Sequence, residues 1–123
     1  MSEDYFFDSY AIIELIKGNT KYEFVKDYII ITGVMNIAEV FYALLLELKE
    51  EKVNNIMKKL NLQLIGIDSE IAIKTAKFRY KNKKLSLSYI DCVGYLLAKE
   101  NNLIFLTGDK GFENMENVKF VKK

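Results

Sequence analysis

The order of patterns along this sequence predicts an α/β fold, a mostly parallel sheet covered by helices on both faces. Three observations lead there. Short apolar runs, aromatic or β-branched, occur five times; stretches with apolar residues at helical spacing separate them; and neither proline nor a linker, repeat or low-complexity segment interrupts the alternation. With 123 residues and 50% of them hydrophobic, the chain has the size and composition of one globular domain with a substantial core.

Asp4–Phe7 is the first short apolar run. Ser9 then has the chemistry of an N-cap for a helix over Tyr10–Lys17, stopped by Gly18-Asn19. A short helix is expected near Tyr22–Asp27. Tyr28–Thr32 is β-branched and reads as a buried strand. Asn36-Ile37-Ala38-Glu39 has the spacing of a capping box, and Ile37, Val40, Phe41, Leu44, Leu45 and Leu48 follow on one helical face. A helix over Lys52–Leu60 leads to a strand over Leu62–Ile67. Asp68-Ser69 caps a helix reaching about Lys81. Ser88-Tyr89-Ile90-Asp91 repeats the capping-box spacing, with Ile90, Val93, Gly94 and Leu97 on one face and an end near Asn101-Asn102. Leu103–Leu106 and Val118–Val121 complete the strands.

Composition excludes several chemistries. The chain has no histidine, which removes imidazole acid–base catalysis and imidazole metal ligation. Cys92 is the single cysteine, so no intrachain disulfide forms and a reducing, cytoplasmic setting is expected. A formal charge of +1 gives no general attraction to polyanions. The acidic start, Met1-Ser2-Glu3-Asp4, lacks the layout of a signal peptide. Tyr28–Leu48 is apolar enough to test as a membrane span, but Glu39 near its middle and the change of period at Thr32-Gly33 favour strand, turn and helix.

In such a sheet, ligands bind where the strands end. Asp8 follows the first strand and Asp109 lies just beyond the fourth. Glu39 and Asp91 are expected in the first turns of helices that open on the same edge. Carboxylates gathered there repel by about 1 kcal/mol per pair at 4 Å in water, and by more in a protein. A hard cation relieves that repulsion, and an all-oxygen donor set suits Mg²⁺ or Mn²⁺. The corresponding chemistry is phosphodiester hydrolysis by metal-activated water. Taken singly, each acid has a plainer role. Glu39 and Asp91 serve as capping-box acids, and Asp8 and Asp109 as turn residues. Asp68, although similarly placed, is read as an N-cap alone.

The segments Phe6-Phe7-Asp8-Ser9, Asn36-Ile37-Ala38-Glu39-Val40, Ser88-Tyr89-Ile90-Asp91-Cys92 and Leu106-Thr107-Gly108-Asp109-Lys110-Gly111-Phe112 stand in the order of the PIN domain. The chain resembles the single-domain, VapC-type toxin ribonucleases of that family from about Tyr5 to Lys122. The resemblance implies a three-layer α/β/α fold with a five-stranded parallel sheet in the order 3-2-1-4-5. It also implies an endoribonuclease in which Asp8, Glu39, Asp91 and Asp109 hold Mg²⁺ or Mn²⁺, supported by Ser9 and Thr107. The implied partners are an RNA substrate, a second copy of the chain and a small antitoxin protein. Three features depart from the pattern. Asn36 stands where Thr or Ser is common, Gly108 stands where a larger and often basic residue is common, and Arg79 is the only arginine.

Lys74, Lys77, Arg79, Lys81, Lys83 and Lys84 form the densest basic stretch. It is either an RNA contact through Arg79, Lys81, Lys83 and Lys84, or, as the balance favours, a solvated helix face with Phe78 and Tyr80 turned inward. Tyr5, Phe6, Phe7 and Tyr10 are a candidate dimer surface, with core packing as the plainer reading. Cys92 reads as a small buried apolar residue, with no histidine to activate it. Two other functions fit acids at strand ends: a non-catalytic PIN-like binding module, and a phosphoaspartate receiver or phosphatase-like domain. Of these last, the phosphatase wants Asp-x-Asp after the first strand, where Asp8 is followed by Ser9-Tyr10, and the receiver wants a paired acidic cluster before its phosphorylated aspartate, which this sequence does not have.

Overall fold

The computed structural model describes residues 4–123; Met1, Ser2 and Glu3 of the acidic start lie outside the described residues. The strands are β1 (Tyr5–Phe7), β2 (Ile30–Gly33), β3 (Leu62–Ile65), β4 (Ile104–Thr107) and β5 (Val118–Phe120). The helices are α1 (Ser9–Ile16), α2 (Val34–Leu45), α3 (Glu50–Lys58), α4 (Ser69–Lys81) and α5 (Tyr89–Glu100). A 3₁₀ helix, Thr20–Val25, takes the place of the short helix expected before β2. The sheet runs β3-β2-β1-β4-β5 with every neighbouring pair parallel.

Side-chain alternation on the two central strands divides the core. Tyr5 and Phe7 of β1 and Leu106 of β4 pack with Ile12, Val40, Leu44 and Val53 from α1, α2 and α3. Phe6 and Phe105 point the other way, to Ile71 of α4 and Cys92, Tyr95 and Leu97 of α5. This is the period-2 rule of a strand buried on both faces. Tyr5, Phe6 and Phe7 are therefore core, and Tyr10 packs against the same cluster, so these aromatics are not an exposed dimer surface. Gly94 lets α5 approach the sheet: a Cβ there would stand 3.0 Å from both the Phe6 and Phe105 rings.

Two helix starts differ from the sequence expectation. Asp8, not Ser9, is the N-cap of α1; its backbone is still extended and its carboxylate accepts from the Ser9 amide. α2 begins at Val34, directly off β2, with Gly33 at the cap position and no side-chain cap. Asn36 thus lies inside the first turn and Glu39 in the second, so Asn36–Glu39 is not a capping box. The second candidate box is real: Ser88 accepts from the Asp91 amide, and the Asp91 carboxylate accepts from the Ser88 amide. Asp68 caps α4 as expected, accepting from the Ile71 amide at 2.9 Å. Among the described residues no helix is long and apolar enough to cross a membrane. Tyr28–Leu48 resolves into β2, α2 and their flanks.

Candidate active site

All strands point the same way, so the residues after each strand share one edge. Asp8 follows β1, and Asp109 follows β4 after Gly108. α5 leads into β4 by a short loop, so its first turn, with Asp91, lies back at that edge. α2 leaves β2 there and presents Glu39. All four acids line one open cleft of about 660 Å³, together with Ser9, Tyr10, Tyr42, Lys110, Lys122 and Lys123.

Hydrogen bonds fix the acids. Asp8 is 3% exposed. Its Oδ1 accepts from the Ser9 amide at 2.8 Å and its Oδ2 from the Thr107 hydroxyl at 2.6 Å. Thr107 Oγ1 in turn accepts from the Asp109 amide at 3.0 Å, tying the ends of β1 and β4 together. Ser9 Oγ donates to Glu39 Oε1 at 2.6 Å and accepts from Asn36 Nδ2 at 2.9 Å. Asn36, itself 3% exposed, therefore orients the serine that orients Glu39. Asp109 Oδ1 accepts from the Gly111 amide at 3.0 Å, and Asp91 Oδ2 accepts from the Ser88 amide at 3.0 Å. Ser9 and Thr107 thus bond directly to Glu39 and Asp8.

Burial is the main influence on Asp8 and pushes its carboxyl up to about 7, with Asp91 and then Glu39 adding like-charge repulsion. The Thr107 hydroxyl and Ser9 amide oppose the shift without cancelling it. The like charges show that Asp8, Asp91 and Glu39 share one electrostatic environment. Cys92, next to Asp91, is buried, and burial followed by the Asp91 charge pushes its thiol up to about 11. It is a neutral core side chain, not a nucleophile.

Among the described residues no three acid or cysteine side chains already stand in metal-ligand geometry. The donor set nevertheless fits a hard divalent ion. It is all oxygen, and it surrounds a buried carboxylate whose ionisation its neighbours oppose. Each of Glu39, Asp91 and Asp109 uses one carboxylate oxygen in the bonds above.

The basic stretch lies elsewhere. Arg79, Lys81, Lys83 and Lys84 do not line the acidic cleft. Arg79 donates to the Leu87 carbonyl at 2.9 Å and sits over the Tyr89 ring, 4.4 Å from its centroid. Phe78 turns inward onto Tyr95, as the solvated-face reading requires, whereas Tyr80 is 73% exposed. The cations in the cleft are instead Lys110, which stands in the fourth motif segment, and Lys122 and Lys123, which belong to no motif. The signal for the last two was topological. Residues following β5 reach the same edge as Asp8 does after β1.

Comparisons with known proteins agree with this architecture. The sequence profile of the PIN domain matches residues 5–118. No curated protein is significantly similar in sequence. Among solved structures, a toxin–antitoxin complex from Klebsiella pneumoniae superposes with a TM-score of 0.77 at 17% identity, covering 98% of this chain and 100% of that one. VapBC2 from Rickettsia felis, bound to a DNA fragment from its promoter, gives 0.70 at 16% identity, with 96% and 97% covered. A protein from Pyrobaculum aerophilum gives 0.65 at 15% identity, with 98% and 92% covered.

Proposed function

The chain belongs to the PIN domain family, and from that premise we propose that it is a Mg²⁺- or Mn²⁺-dependent endoribonuclease, the toxin of a toxin–antitoxin pair. The observation that carries the proposal is the convergence of Asp8, Glu39, Asp91 and Asp109, from four separate segments, on one open cleft. Asp8 is the pivot. It is buried between Ser9 and Thr107; burial, with the Asp91 and Glu39 charges, opposes its ionisation, and a bound cation would offset that opposition. A divalent ion held by these acids supplies positive charge to a phosphodiester and acidity to a water. The protein positions the acids: Thr107 sets Asp8, Ser9 sets Glu39, and the Ser88 amide sets Asp91. An open cleft admits an extended strand, which suits single-stranded RNA.

The partners belong to the same proposal: a second copy of the chain and a small antitoxin protein, working in the cytoplasm. An apolar groove of about 330 Å³, walled by Val93 and the exposed Val34, Met35, Ile67 and Tyr89, supports a protein partner. One structural neighbour is a toxin–antitoxin complex and another is VapBC2, and both lend the pairing further support.

Cleavage of single-stranded RNA in Mn²⁺ tests the proposal, comparing the wild type with Asp8→Asn and Asp91→Asn. The wild type is expected to cut and to stop on chelation, with both variants at background. Equal behaviour of all three folded proteins would remove catalysis by this cluster and leave a binding module.

A further inference from the structure

An acid-lined cleft repels a polyanion, and a net charge of +1 offers little attraction elsewhere. The only arginine is occupied with Leu87 and Tyr89 outside the cleft. RNA therefore needs local cations beside the acids. We propose, building on the ribonuclease reading, that the segment Val121–Lys123 is a strap that holds the RNA backbone in the cleft through Lys122 and Lys123, and that Gly108 is a glycine so that the strap can pass.

The backbone of the strap is pinned at every residue. The Val121 amide donates to the Thr107 carbonyl at 2.9 Å, and the Val121 carbonyl accepts from the Tyr22 hydroxyl at 2.5 Å. The Lys122 carbonyl accepts from Lys21 Nζ at 3.3 Å, and the Lys123 amide donates to the Tyr10 hydroxyl at 3.1 Å. With the main chain held, Lys122 and Lys123 line the cleft, and neither has an ion-pair partner among the described residues. The path crosses Gly108 closely. A Cβ there would collide with the Tyr10 ring and would stand 2.5 Å from the Val121 carbonyl oxygen. A larger or basic side chain at position 108 is therefore incompatible with this strap. Positive charge at this edge is supplied instead by the segment that follows β5.

Binding of a short fluorescent single-stranded RNA, measured in EDTA across a salt series, tests this. Lys122→Ala/Lys123→Ala is expected to weaken binding about tenfold and to lower the slope of log K against log salt by about 0.7 for each lost phosphate contact. Lys122→Arg/Lys123→Arg is expected to restore both. Lys58→Ala/Lys59→Ala removes the same charge outside the cleft and is expected to leave the slope unchanged. Gly108→Ala keeps both lysines and is expected to weaken binding by dislodging the strap. A wild-type protein that cuts RNA while the double alanine variant keeps full affinity and slope overturns the strap and leaves the ribonuclease standing. A wild type that neither binds nor cuts RNA overturns both.

Discussion

Asn36–Glu39 and Ser88–Asp91 look alike in sequence: a capping residue, an acid three places on, then an apolar helical face. They fold differently. At Ser88 the helix starts where the motif says, and the serine and Asp91 satisfy each other's amides. At Asn36 the helix has already begun, because Gly33 ends β2 and Val34 and Met35 take the first two helical positions. Asn36 then turns inward to Ser9, and Glu39 is carried into the second turn, where Ser9 and not its own backbone holds it. One acid does local work for its helix and also reaches the cleft. The other has no local work at all, which makes its place in the cleft stronger support for a shared site.

The largest expected effect separates those two roles. Glu39→Gln and Asp91→Asn should each lower Mn²⁺-dependent RNA cleavage by about 10²–10³, the scale of losing one preorganised electrostatic group. Only Asp91→Asn should also soften the fold, by about 0.5–1 kcal/mol in urea, since it removes a charge from a helix first turn. Full cleavage by Asp91→Asn would reduce that residue to a cap and leave the site to the other three acids.

The next effect is on stability and pH. Both acids oppose the charge of Asp8, Asp91 more than Glu39. Burial and these charges raise the folded carboxyl from 3.8 to about 7, so the folded state holds a proton that the unfolded state has released. That contribution is fully present below pH 4 and is lost as pH rises through 7. Metal-free protein should lose on the order of 2–3 kcal/mol from this group between pH 5 and pH 8. Asp8→Asn should flatten the profile, Asp91→Asn should flatten it in part, and Glu39→Gln less. Mn²⁺ competes with the same proton, so its stabilisation should be larger at pH 8 than at pH 5. A wild-type profile parallel to that of Asp8→Asn would show that the Asp8 charge is already accommodated without metal.

Much of this was legible in the sequence. The five apolar runs and their helical spacers fix the layering, because side-chain period is a local property. Asp8 and Asp109 were legible as strand-end acids for the same reason. The start of α2 was not. Val34 and not Asn36 opens the helix, while the Asn36 side-chain amide bonds Ser9, 27 positions away, and no local pattern reports that contact. The lysines of the cleft were hidden for a related reason. Lys122 and Lys123 are unremarkable in composition, and they become cleft residues only once β5 is known to lie beside β4.

The smallest effects come from the serines, and they test the comparison most directly. Ser88→Ala removes the acceptor for the Asp91 amide and should cost roughly 1 kcal/mol, the usual value of an N-cap. The Ser88 backbone amide still holds the Asp91 carboxylate, so cleavage should fall less than threefold, well short of the loss expected for the acid itself. Ser9→Ala takes away the partner of two side chains at once. The buried Asn36 amide loses its acceptor, which costs roughly 1–3 kcal/mol, and Glu39 loses the hydroxyl that orients it. Cleavage should then fall about 10–100-fold, as when an outer support of a metal ligand is removed. Paired measurements of urea midpoint and Mn²⁺-dependent rate distinguish the two cases. Ser88 should move stability with little change in rate, and Ser9 should move both. If Ser9→Ala changes stability alone, then Glu39 needs no orientation to act, and the Asn36–Ser9–Glu39 chain is a packing device that happens to border the cleft.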